Sequence, residues 1–91
     1  MISLETKITI PETLLLQKVD EETILLDINT QEYFSLNELG GIIWELLSKN
    51  NNLKEVKDEL LVTYDINEKQ IIDDILNFIS ALIKKGLIEI E

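Results

Sequence analysis

Residues Ile24–Leu47 read ILLDINTQEYFSLNELGGIIWELL, and this stretch decides the fold. An apolar run, TILLDI at residues 23–28, enters the polar triplet Asn29-Thr30-Gln31 and leaves it as EYFSL, Glu32–Leu36. Short apolar runs bounded by turn residues signal strands, and so brief a connection returns the chain antiparallel. Helical spacing follows almost without a linker. Leu39, Ile42, Ile43, Leu46 and Leu47 recur every three or four residues and end near Lys49. Ser35 and Glu38 have the S-x-x-E spacing of a capping box, with Asn37 as the alternative cap. Either arrangement gives oxygen partners to N–H groups that a first helical turn leaves unpaired.

Working outward towards the N-terminus, Leu14–Val19 (LLLQKV) predicts another strand, joined to residues 23–28 by a turn at Asp20-Glu21-Glu22. Sequential strands with such short connections favour an antiparallel meander. Lys7–Ile10 (KITI) alternates and is stopped by Pro11, which fits a short edge strand or an N-terminal arm over residues 1–13. Towards the C-terminus two more helices have start signals. Asn52 with Glu55 opens one whose inward face is Leu53, Val56, Leu60 and Tyr64; Asn67 with Gln70 opens the other. Gly86 ends the last helix by taking a positive φ, with Lys84 and Lys85 in the turn where cations suit the helix dipole. Leu87–Ile90 alternates weakly, as a closing strand would. The expected fold is α+β and winged helix-turn-helix-like, a three-stranded antiparallel sheet followed by three helices in one domain, residues 1–91.

The last helix is greasier than a small domain requires. Ile71, Ile75, Phe78 and Leu82 form one stripe, and Ile72, Leu76, Ile79 and Ile83 form the next. One buried face satisfies an amphipathic helix. Two adjacent stripes mean a helix wedged between layers, or one whose spare face lines a groove.

The chain's 91 residues supply a single core, and Ile and Leu alone contribute 31 of them. No apolar run approaches the ~20 residues of a membrane span. MISLETKITI has one acid, Glu5, and lacks the cationic start and apolar run of a secretory signal, so the expected location is cytoplasmic. Eighteen Asp and Glu against eight Lys give a net charge of −10, with neither Arg nor His. That charge opposes phosphate at long range, and without Arg the usual bidentate reader of guanine is missing. Were the third helix a winged-helix DNA reader, its exposed face should be basic; it offers Glu68, Asp73, Asp74 and Asn77 instead.

Catalysis finds little to work with. The chain lacks Cys and His, and therefore a thiolate nucleophile, sulfur ligands and the usual base near neutral pH. Asp73 and Asp74 are helix neighbours that point roughly 100° apart and do not converge on an ion. Asp65, Asn67 and Glu68 do not have calcium-loop spacing. Gly40-Gly41 lie in a helix's first turns and lack the phosphate-loop pattern. Their expected role is steric, letting Trp44 or a neighbouring element pack closely at about 1 kcal/mol each of helix propensity. The expectation is a non-enzymatic binding protein without cofactor or metal.

LLDINTQEYFSLNELGGIIWELL, LKEVKDELLVTYDI, DDILNFISAL and KKGLIEIE together resemble the PqqD-like family, known as recognition elements for ribosomally made, post-translationally modified peptides. The resemblance runs from about Leu14 to the end. It rests on the aromatic pair before Leu36-Asn37, the helix with Ile43-Trp44, the segment from Asp74 to Leu82, and Gly86-Leu87-Ile88. Gln31 departs from it, standing where such domains commonly have a glycine in the strand turn.

The resemblance implies a domain that binds the leader of a precursor peptide as an added strand. The docking edge would be Gln31, Glu32, Tyr33, Phe34 and Ser35, and the helix wall Ile71, Asp74, Ile75 and Phe78. Alternation puts Tyr33 and Ser35 on one face, with Phe34 and Leu36 serving the core on the other. Asp74 suits a basic or hydroxyl group on the leader, or is simply a solvated helix acid. A stand-alone copy of this length resembles those of lasso-peptide pathways, whose partner is a cysteine-protease-like leader peptidase. The alternatives are a peptide chaperone for a radical SAM enzyme, as in pyrroloquinoline quinone synthesis, and a homodimeric structural adaptor.

Overall fold

In a computed structural model, which describes residues 2–50 and 52–91, the chain forms two small sheets and three helices. Met1, the first residue of the expected arm, lies outside the described residues. The elements are β1 (Ile8–Thr9), β2 (Leu14–Val19), β3 (Glu22–Asp27), β4 (Tyr33–Leu36), α1 (Glu38–Asn50), α2 (Leu53–Thr63), α3 (Glu68–Lys84) and β5 (Glu89–Ile90). The main sheet has the order β2-β3-β4, antiparallel throughout, and the three helices follow it. This is the α+β architecture that the sequence predicts.

Turn chemistry sets the register of the meander. Val19 pairs with Glu22 across a two-residue loop whose first residue, Asp20, has φ 57°. Glu22 therefore belongs to the strand, and the turn is one residue shorter than expected. The second loop is organised by Asp27, a buried carboxylate. Its Oδ1 accepts from the N–H groups of Asn29 (2.9 Å) and Thr30 (3.4 Å), and its backbone carbonyl accepts from Gln31 N–H at 2.7 Å. Asp27 N–H in turn donates to the Glu32 carbonyl. Gln31 and Glu32 thus oppose one residue in a bulge whose first position is left-handed, and Gln31 takes φ 65° there. The departure noted at Gln31 is a real positive-φ position occupied by a residue with a Cβ.

Asparagine caps all three helices. Asn37 Oδ1 accepts from Gly40 N–H at 2.7 Å, Asn52 Oδ1 from Lys54 and Glu55 N–H, and Asn67 Oδ1 from Gln70 N–H. Asn37, not Ser35, is therefore the first cap; Ser35 stays within β4. Gly86, at φ 77°, ends α3 with paired bonds, Gly86 N–H to Ile83 O and Leu87 N–H to Leu82 O. Tyr64 leaves the expected inner face of α2: it is an extended C-cap residue, 41% exposed.

The core joins Leu25 and Leu36 of the sheet to Ile43, Trp44 and Leu47 of α1, Leu53, Val56 and Leu60 of α2, and Ile71, Ile75, Ile79 and Leu82 of α3. Ile8, Leu87 and Ile88 close it from the termini, where β1 and β5 pair antiparallel. Of the two stripes on α3, the core takes positions from both, and Ile72, Leu76, Phe78 and Ile83 remain half-buried. Among the described residues no helix is long and apolar enough to cross a membrane.

Candidate functional site: the edge of β4 and its cleft

The hydrogen bond between Asp27 and Glu32 fixes which way β4 points its backbone groups. In an antiparallel ladder, bonded and non-bonded pairs alternate. With Asp27–Glu32 a bonded position, Leu25–Phe34 and Thr23–Leu36 are bonded as well, and Leu26–Tyr33 and Ile24–Ser35 are not. Tyr33 and Ser35 therefore turn both N–H and C=O away from β3, towards the side of β4 where no strand lies among the described residues. Four backbone groups stand open on one edge.

Beside that edge is a cleft of about 320 Å³ lined by Phe34, Leu36, Asn37, Leu39, Gly40, Ile43, Asp74, Asn77 and Phe78. Alternation along β4 sends Phe34 and Leu36 inward, as expected, and Phe34 meets Phe78 edge-on with ring centroids 6.2 Å apart. Gly40 permits this closeness, since a Cβ there would lie 3.1 Å from Asn37 Oδ1 and 3.4 Å from Phe78 Cε1. Gly41 has no such role; nothing lies within 4 Å of where its Cβ would be.

The expected site residues separate into three groups. Phe34, Asp74 and Phe78 meet in the cleft, and Tyr33 (56% exposed) and Ser35 stand at its rim. Gln31 and Glu32 sit in the bulge; the Glu32 carboxylate lies 3.8 Å from Lys85 Nζ, bridging the start of β4 and the end of α3. Ile71 and Ile75 correct the expected wall. Both are fully buried in the core, so they hold α3 in place and present no surface to a guest. The accessible wall is instead Asp74, Asn77 and Phe78. Asn77, three residues after Asp74, joins the lining; in the sequence it is one polar residue of an exposed helix face, with nothing in the apolar periodicity to mark it. Asp74 is half-buried, with Oδ1 accepting from Gln70 Nε2 at 2.9 Å.

Larger clefts lie elsewhere. One of about 520 Å³, between the N-terminal segment and the start of α2, is lined by Leu4, Lys7, Leu53 and Lys54 among others. It touches none of the expected site residues and borders no sheet edge of the meander.

The family model described as Coenzyme PQQ synthesis protein D (PqqD) matches residues 22–88. No curated protein matches the chain. Among solved structures, TbiB1 in complex with the TbiA(beta) leader peptide superposes with a TM-score of 0.76 at 30% sequence identity, over 88% of this chain and 93% of that one. Lasso peptide synthetase B1 complexed with the leader peptide also gives 0.76, at 21% identity over 90% and 96%, a likeness of fold.

Proposed function

The chain belongs to the PqqD family, and from that premise we propose that it captures the leader of a ribosomally made precursor peptide as a fourth strand on the open edge of β4. One observation carries the reading: the unpaired edge at Tyr33 and Ser35 borders a cleft walled by α3. That TbiB1 was solved with a leader peptide supports the same ligand class here. In this reading residues Gln31–Ser35 form the docking edge, Asp74, Asn77 and Phe78 the wall, and Ile71 and Ile75 the buried support behind it. The whole chain acts as one recognition domain, its N-terminal segment anchored through β1 on β5.

Magnitudes show how the two halves of the site divide the work. Four ladder bonds at a net 0.5–1.5 kcal/mol give about 2–6 kcal/mol. Micromolar binding needs about 8 kcal/mol after association costs. Two or three apolar side chains of the guest, entering the cleft at about 1.5–3 kcal/mol each, close the gap. The edge supplies affinity for any strand; the cleft supplies preference for one.

The domain is a non-catalytic, cytoplasmic carrier that presents the bound leader to a modifying enzyme. For that partner the reading takes a cysteine-protease-like leader peptidase, which the resemblance to stand-alone lasso-pathway domains implies, ahead of the radical enzyme of a PQQ-type pathway. Titration of the ¹⁵N-labelled chain with a leader peptide, such as the TbiA(beta) leader bound by its structural relative, tests the docking. Amide shifts at Tyr33, Ser35, Asn77 and Phe78 are expected. Shifts confined to Leu16 and Lys18, on the sheet's other edge, would move the site to β2. Ser35→Pro removes one edge donor without touching the Asn37 cap, and should weaken binding about tenfold, the equivalent of one ladder bond. A folded Ser35→Pro variant with unchanged affinity contradicts backbone pairing there.

A further inference from the structure

The wall that α3 offers along β4 is not uniform. Gln70, Asp74, Phe78, Ala81 and Lys85 follow at intervals of three and four, so they share one helix face. Asp74 and Phe78 line the cleft, and Lys85 reaches Glu32 at the opposite end of β4. The wall therefore runs acid, apolar, small, cation. Asp74 is half-buried, and while Gln70 occupies Oδ1, the other oxygen has no protein partner among the described residues. At the far end the Lys85–Glu32 pair is loose, 3.8 Å apart with side chains 49% and 53% exposed, so an incoming acid can share Lys85. Exposed Asp73 adds to the acidic end and Lys84 to the cationic one, where both lysines also offset the negative end of the helix dipole.

We propose that this wall reads charge order: the captured segment carries Lys or Arg against Asp74 and, about five residues away, Asp or Glu against Lys85, with apolar anchors between. The spacing follows from geometry. Eleven helical residues at 1.5 Å separate the two positions by about 16 Å, which an extended guest covers in about five residues at 3.3 Å. The chain's net charge of −10 draws the cationic part of the guest to the surface, and the wall then orients it. The proposal rests on capture at β4 and adds the charges of the guest and their sequence.

A phage-displayed library of random dodecapeptides, panned on the full chain, tests it. Selected peptides should shift the Tyr33 and Ser35 amides and carry a cation and an acid about five residues apart. Exchanging the two charges in a synthetic copy should weaken binding about fivefold (about 1 kcal/mol), a difference that fades in 1 M salt. Panning on Asp74→Lys should invert the preference at the first position, and the milder Asp74→Asn should abolish it. Peptides that shift the β4 amides with no charge preference, or whose preference survives both variants, overturn the inference and leave capture standing. If no selected peptide shifts those amides, peptide capture itself fails, and the charge inference with it.

Discussion

Gly40 and Gly41 are adjacent, chemically identical and both in the first turn of α1, yet alanine should act on them oppositely. In a helix, Ala is favoured over Gly by about 1 kcal/mol. Nothing lies within 4 Å of a Cβ at Gly41, so Gly41→Ala should gain most of that, raising Tm by about 4–8 °C for a domain of this size. At Gly40 the new methyl would stand 3.1 Å from Asn37 Oδ1, the oxygen that caps α1 through a 2.7 Å bond from Gly40 N–H. It would also meet Phe78 Cε1 at 3.4 Å and Leu36 Cδ2 at 3.6 Å. Loosening the cap costs about 1 kcal/mol, which cancels the helical gain before Phe78 has moved at all. Gly40→Ala should therefore be neutral or destabilising, about 1–2 kcal/mol below Gly41→Ala. Urea unfolding of both variants, with m unchanged, measures the difference. Phe78 displaced by a few tenths of an ångström also narrows the cleft, so Gly40→Ala should lose peptide affinity and Gly41→Ala should not. Equal stabilisation by the two substitutions would refute the close approach between α1 and α3.

Gln31→Gly should stabilise the meander by up to about 1 kcal/mol, because the left-handed φ of 65° costs a residue with a Cβ about that much; Gln31→Val should lower Tm instead. Thermal unfolding by circular dichroism reads both, and a tolerated valine would mean that the bulge relaxes. Ile75→Ala should cost about 2–5 kcal/mol of stability, as a cavity in the core does, whereas Phe78→Ala, at a half-buried position, should cost less stability and more leader affinity. Denaturation and peptide titration on the same two proteins separate them, and the reverse order would return Ile75 to the wall.

Much of the fold was legible in the sequence. Asn52 and Asn67 announced their helices because an asparagine followed by apolar residues at helical spacing has few other uses. Asn37 was harder: Ser35, two residues earlier, carries an equally able oxygen, and only the backbone decides which lies outside the helix. The stripes of α3 show the limit of periodicity. It gives the angle between Ile71-Ile75 and Ile72-Leu76, not the direction in which the rest of the core lies. The stripe assigned to the groove was therefore largely the buried one, and the cleft's true lining included polar Asn77. β1 and β5 are two residues each. Alternation placed a short strand within Lys7–Ile10 and another within Leu87–Ile90, but segments that short carry no signal of which partner, about 80 residues away, they pair with. The open edge of β4 was inferable as a strand without a successor; which of its groups point outward required the register.

That register has a consequence for whatever lies downstream of a bound guest. Tyr33 and Ser35 present their outward groups two residues apart, and side chains on a strand alternate with the same period. A guest slipped by one residue would turn its anchors out of the cleft, so it can shift only in steps of two, about 7 Å. Among such steps the cleft, fixed behind Phe34, admits the one that fills it. On the proposed docking, the edge works as a ruler with coarse, unambiguous divisions. It would set the frame in which a peptide is held, and with it the distance from the domain to any bond an enzyme later cuts or joins.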